Sequence, residues 1–129
     1  MQLSGCIITD QDDKILLLHR TNPREQWEVP GGKIEKGEDS RAAAIREINE
    51  ELGVSVKIDK LLGQKKFTED NVSMNYFWYK AEIMSGKPKI MEPEKFNGFK
   101  YFSTDELLQN SITISIGTQN FLAMLKSKI

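Results

Sequence analysis

Apolar and polar positions along the chain fall into blocks that predict strands and helices by turns. Gly5-Cys6-Ile7-Ile8-Thr9 is a short apolar run, Asp10-Gln11-Asp12-Asp13 is polar turn material, and Lys14-Ile15-Leu16-Leu17-Leu18-His19-Arg20 resumes the apolar pattern. Two such runs around a polar turn predict a strand hairpin. The unbroken apolar stretch in the second run predicts a strand covered on both faces. Residues 21–26 hold Asn22-Pro23 and read as a loop, and Trp27-Glu28-Val29-Pro30-Gly31-Gly32 is a brief extended segment broken by Pro and Gly. A helix then starts with Asp39 or Ser40 as N-cap, runs to Leu52 and stops at Gly53. At about 100° per residue Ala44, Ile45, Ile48 and Leu52 form its docking stripe.

Residues 54–67 and 72–83 predict two longer strands joined around Thr68-Glu69-Asp70-Asn71, and Ser85-Gly86-Lys87-Pro88 is a turn. Gly98-Phe99-Lys100-Tyr101-Phe102 alternates as a strand, and Ser103 or Thr104 caps a short helix through Leu108. Ile116, Phe121, Leu122 and Leu125 mark a final amphipathic helix within residues 113–126. There is no internal repeat, linker or low-complexity segment. Interleaved strands and helices predict an α/β (α+β) fold with a mixed β-sheet between helices.

One helical face carries candidate chemistry. Glu47, Glu50 and Glu51 stand at i, i+3 and i+4, which places three carboxylates together on a side away from the apolar stripe. Like charges at that spacing cost an isolated helix roughly 0.2–0.5 kcal/mol per pair. A hard divalent cation with a phosphate substrate is the natural compensation, because Mg2+ prefers carboxylate, water and phosphate oxygens.

Composition narrows the setting. At 129 residues the chain is expected to be one domain over residues 1–129, with an ordinary 39% apolar and 29% charged content. A net charge of −1 gives no reason to expect nucleic acid or an anionic membrane as partner. Cys6 is the only cysteine, so an internal disulfide is impossible and a small buried hydrophobe is expected there. The expectation is a cytoplasmic protein without signal peptide or membrane span. His19 is the only histidine and makes no metal cluster by itself.

The spacing from Gly32 through Glu38 to Arg46-Glu47-Ile48-Asn49-Glu50-Glu51-Leu52-Gly53-Val54 resembles the signature of the Nudix hydrolases, with every specified position filled. Such a match arises by chance less than about once in ten million start positions. Trp27-Glu28-Val29-Pro30-Gly31-Gly32-Lys33 resembles the family's usual lead-in, and Glu92-Pro93-Glu94-Lys95 resembles a segment of its nucleoside-triphosphate branch. The resemblance implies a Nudix fold, a mixed β-sheet sandwiched between α-helices. It also implies cleavage of a nucleoside diphosphate linked to another group, by water, with Mg2+ (or Mn2+) as cofactor. Glu47, Glu50 and Glu51 are then the expected metal ligands, with the Gly32 carbonyl a further one. Arg46 orients the carboxylates by ion pairing, to Glu38 as in relatives. The proton acceptor is Glu50 or Glu51, with Glu94 and then Glu92 as the alternatives. Arg20 and Lys33 are expected on the substrate phosphates.

Substrate identity is less marked. The family's downstream signs of ADP-ribose hydrolases (a proline) or dinucleoside polyphosphate hydrolases (a tyrosine) fall in the window Glu69-Asp70-Asn71-Val72, which has neither. The chain therefore resembles the MutT-type nucleoside triphosphate pyrophosphohydrolases, releasing a nucleoside monophosphate and pyrophosphate in a role such as nucleotide-pool sanitation. Base-stacking candidates are Tyr76, Phe77, Trp78 and Tyr79. Thr118, with Gln119 and Asn120 beside it, falls where MutT-type relatives carry an asparagine that reads oxidised guanine, a departure that argues against the 8-oxoguanine preference. The rivals are hydrolysis of a nucleotide sugar or other nucleoside diphosphate derivative, and a nucleotide-sensing module without turnover. Relatives occur as monomers and as homodimers.

Overall fold

The computed structural model describes residues 1–109 and 111–127. The described elements run β1 (Gln2–Ile8), β2 (Ile15–Arg20), β3 (Gln26–Glu28), β4 (Gly31–Lys33), α1 (Ser40–Leu52), β5 (Ser55–Glu69), β6 (Val72–Ser85), β7 (Phe96–Phe102), α2 (Thr104–Leu108) and α3 (Ile116–Ser127). They form a mixed four-stranded sheet in the order β4-β1-β6-β5 and an antiparallel three-stranded sheet in the order β3-β2-β7. The β1–β6 pair is the parallel one. The class is mixed α+β, as expected, with two sheets in place of one.

The predicted β1–β2 hairpin does not form. These strands lie in different sheets, and the isolated bridge Thr9–Ile15 stands at their connection. Asp10 Oδ1 accepts from the Asp12 and Lys14 amides, each at 2.9 Å, and Asp13 takes a left-handed φ of 61°, which turns the chain from one sheet into the other. Burial gives the physical reason. Cys6 to Ile8 and Ile15 to Leu18 are buried, so their backbone N–H and C=O groups need partners on both edges, and each strand is an inner one of its own sheet. Alternate residues then feed two cores. Cys6, Ile8, Leu16 and Leu18 pack beneath α1, while Ile7, Leu17, Trp78 and Phe102 pack with Leu107, Phe121 and Leu122 of α2 and α3.

Helix α1 matches its expected bounds. Asp39 Oδ1 accepts from the Ala42 amide at 2.7 Å, and Gly53 ends the helix at φ 68° with its amide on the Asn49 carbonyl at 2.9 Å. The docking stripe is Ala43, Ala44, Ile48 and Leu52, whereas Ile45 is exposed. Ile45 was expected in that stripe, but small Ala43 takes the place against the sheet. Strands β5 and β6 join through Asp70 and Asn71, both at positive φ, the turn that matches strand twist in a two-residue hairpin. Ser103 and Glu106 cap α2 reciprocally. Helix α3 starts at Ile116, later than residue 113, because Thr113 and Ser115 exchange backbone hydrogen bonds with Trp27 in extended form. Among the described residues no helix is long and apolar enough to cross a membrane.

Cys6 is fully buried, and burial pushes its thiol up to about 12, with Glu51 adding to the effect. The native protein at pH 8 is expected to give no reaction with a disulfide-forming thiol reagent over minutes, and one equivalent after denaturation. Rapid native labelling would contradict this packing.

Candidate active site

Arg46 organises the acidic face of α1. Its Nε and one terminal nitrogen grip Glu38 at 2.7 and 2.9 Å, and the same terminal nitrogen reaches the Lys33 carbonyl at 2.9 Å. The other terminal nitrogen donates to Glu47 at 3.0 Å and Glu50 at 3.2 Å. The hydrogen bonds from Arg46, and then that from the Glu35 amide, hold the Glu38 carboxyl down at about 2. Glu38 in turn pushes the Arg46 guanidinium further up. A fixed positive fork thus sits among the acids, as the resemblance implied.

Glu51 departs from expectation. It is only 4% exposed and lies on the docking side of α1, with Oε1 accepting from the Gly31 amide at 2.9 Å. The reason is spacing: Glu51 follows Ala44 by seven residues and Ile48 by three, so it continues their stripe. Burial pushes its carboxyl well above the usual range, and the Glu47 and Glu28 charges push the same way. Burial likewise raises Glu47, against the pull of Arg46.

The donor set fits a hard cation. Carboxylates of Glu47, Glu50 and Glu51 and the Gly32 carbonyl are all oxygen donors. A Cβ at Gly32 would lie 2.5 Å from the Glu47 carboxylate, so only glycine lets this backbone and this acid converge. Among the described residues no three Asp, Glu, His or Cys side chains are placed so that they could hold an ion by themselves. An ion that takes several of its ligands from water and substrate phosphate suits so open a set.

These acids line one part of a cleft of about 660 Å³ that runs between the two sheets. Arg20 lies in it, with Nε donating to Glu28, a terminal nitrogen donating to the Asn22 carbonyl at 3.0 Å, and its guanidinium 4.7 Å over the Phe96 ring. Lys33 stands exposed at the rim. Leu3, Phe67, Met74 and Tyr76 give the cleft an apolar wall, with Ser115 and Gly117 beside them. Sequence reasoning missed Glu28, Phe67 and Ser115 as cleft residues. Glu28 was the detectable one, an acid between apolar Trp27 and Val29 just before Pro30-Gly31-Gly32. Burial raises its carboxyl, against the Arg20 charge.

Several expected residues lie elsewhere. Trp78 is fully buried between Tyr76 and Phe121, a core residue with no face for a base. Tyr79 shares a 2.6 Å hydrogen bond with Ser40 beneath α1, and Phe77 packs on the same core. Thr118 is buried, its hydroxyl accepting from the Val29 amide at 3.0 Å and from Ser115 at 2.8 Å, so it ties the chain just after β3 to α3 and does not line the cleft. Asn120 donates to the Ile116 carbonyl at 2.9 Å and does not line the cleft. Glu94 is exposed and outside the cleft. Glu92 is the nearer loop acid, since its charge reaches Glu47 and Glu51. The amides of Lys89 and Met91 bond the Leu52 and Glu51 carbonyls at 3.0 and 3.1 Å, which brings this segment against the end of α1.

Comparison with known proteins agrees with this geometry. The model of the NUDIX domain matches residues 3–124. A human diphosphoinositol polyphosphate phosphohydrolase 2 is 43% identical over 58 residues, 45% of this chain and 32% of that protein. A bovine diphosphoinositol polyphosphate phosphohydrolase 3-beta is 34% identical over 73 residues, 57% of this chain and 44% of that protein. The chain thus spans less than half the length of these curated relatives. Among solved structures, a MutT NUDIX hydrolase from Burkholderia pseudomallei superposes with a TM-score of 0.85 at 27% identity, over 95% of each chain. A mutator MutT protein from Bacillus halodurans gives 0.74 at 28% identity, over 95% of this chain and 79% of that one.

Proposed function

The chain belongs to the NUDIX domain family, and from that premise we propose that it hydrolyses a (deoxy)nucleoside triphosphate to the nucleoside monophosphate and pyrophosphate, as one domain over residues 1–129. The observation that carries this reading is the make-up of the cleft. One part holds Glu47, Glu50, Glu51 and Arg46, groups suited to a cation and phosphates, and another is walled by Leu3, Phe67, Met74 and Tyr76, suited to a nucleobase. A purely inositol-phosphate substrate has no flat apolar part for that wall.

Mg2+ or Mn2+ held by Glu47, Glu50, Glu51 and the Gly32 carbonyl would neutralise phosphate oxygens and acidify an attacking water. The chain's own residues supply the rest. Arg46 fixes the Glu47 and Glu50 carboxylates and stays charged throughout. Glu50, the more exposed of the helix acids, takes the proton of the attacking water, and Arg20 presents its free N–H groups to phosphate. The apolar wall excludes water from the base side.

The diphosphoinositol polyphosphate phosphohydrolase names of the curated relatives support a second substrate reading with the same bond chemistry. A panel of canonical and oxidised nucleoside triphosphates, nucleotide sugars, ADP-ribose and a diphosphoinositol polyphosphate, each with Mg2+, separates the two. Pyrophosphate release from at least one triphosphate is expected. Phosphate release from the diphosphoinositol compound alone would replace the triphosphate reading with the second one.

A further inference from the structure

We propose that the Tyr76 hydroxyl binds substrate, donating a hydrogen bond to a non-bridging oxygen of the phosphate attached to the nucleoside. The proposal rests on the nucleotide reading above. Tyr76 suggested itself in the sequence as a stacking ring, but that ring is already engaged. It stacks on Trp78 at 5.0 Å with planes 13° apart, and a Cβ at Gly117 would lie 3.3 Å from its edge. The hydroxyl is in the opposite position. Among the described residues it has no hydrogen-bond partner, and it opens on the cleft.

Bare backbone surrounds it. A Cβ added at Gly5 would stand 2.8 Å from the hydroxyl, and one at Gly31 would stand 2.9 Å away. Strands β1 and β4 therefore both leave out side chains where this oxygen lies. Gly31 also donates its amide to Glu51 at 2.9 Å, while Gly117, at the ring edge, lies beside Phe67. Tyr76 thus spans the join between the acidic part of the cleft and its apolar wall. A nucleotide crossing that join has its first phosphate there, and an O–H donor meeting an anionic oxygen is a strong pairing. Phenylalanine would fill the same volume without a polar atom to satisfy, so a partnerless hydroxyl in this niche is accounted for by an acceptor on the ligand.

The test is Tyr76→Phe, read by thermal unfolding and by calorimetric titration with AMP, GMP, CMP and UMP, with inorganic pyrophosphate as control. A Tm equal to or above wild type, about tenfold weaker monophosphate binding and pyrophosphate affinity within about twofold are expected. Unchanged monophosphate affinity overturns the proposal, as does equal weakening for pyrophosphate. A fall in Tm overturns it too, by giving the hydroxyl a structural partner. A second measurement needs no variant: the Tyr76 Cζ carbon resonance of the wild type shifts with the monophosphates and not with pyrophosphate. If wild type turns over no triphosphate yet shows Tyr76-dependent monophosphate binding, the reaction assignment fails and the hydroxyl contact stands. Absence of any monophosphate binding by the wild type overturns the contact.

Discussion

Glu50→Gln is expected to lower kcat by about 10²- to 10⁴-fold, the range removed with a general base, while Tm changes by no more than about a degree. The asymmetry follows from where the side chain stands. Glu50 is half-exposed, at 50%, and pairs with Arg46, which keeps Glu38 and Glu47 when Glu50 is neutralised. The fold loses an exposed ion pair of small worth. Steady-state kinetics at saturating Mg2+ check the result, and an unchanged rate would remove Glu50 from proton transfer. A parallel Mg2+ titration of Glu47→Gln separates ligand from base, since loss of a ligand raises the metal requirement and saturating metal restores part of the rate.

Glu51→Gln is expected to make the metal-free protein more stable and the enzyme far less active. The Glu51 carboxylate is buried beside Glu47 and Glu28 and accepts from the Gly31 amide, so its charge is a strain on the fold. Glutamine keeps an oxygen for Gly31 and removes that charge. A gain on the order of 1–2 kcal/mol, or about 3–6 °C in Tm, is expected in EDTA. Because the folded state raises this carboxyl above its unfolded value, the folded protein binds the proton more tightly. The wild type therefore loses stability as pH rises from the ordinary glutamate range toward the raised value. The Tm gap between variant and wild type widens as pH rises toward the raised value and closes as pH falls toward about 4.5. Mg2+ narrows it from the other side by stabilising only the wild type appreciably. Thermal melts across pH with EDTA or Mg2+ measure this directly, and a variant less stable than wild type at pH 7.5 would contradict it.

How much the sequence disclosed depended on whether the cause was local. Asp39 and Gly53 mark the ends of α1 through bonds made within one turn, and Asp70-Asn71 marks its hairpin through backbone angles of two residues. The box from Gly32 to Val54 was likewise legible, and with it the Arg46–Glu38 pairing. Partner choice is not local. Nothing within residues 5–20 says that β1 and β2 each need two other neighbours, so a hairpin was expected where the chain changes sheet. The same holds for side chains. Trp78 and Tyr76 are two residues apart on the same face of β6, yet only contacts from α3 and β4 decide that one is core and the other reaches the cleft. Thr118 falls where relatives carry a base-reading asparagine, and only the bonds from Val29 and Ser115 reveal that its hydroxyl serves the fold.

The bonds from the Lys89 and Met91 amides to the last carbonyls of α1 have a consequence for local unfolding. Helix ends fray because their final carbonyls depend on solvent. Here a neighbouring loop stretch meets two of them, which couples the opening of the last turn of α1 to that of the stretch leading to Glu92. Acids from two distant parts of the chain therefore belong to one cooperative unit. Thermal fluctuation that would scatter them singly must first detach the whole unit, which keeps a crowded set of negative charges assembled between turnovers.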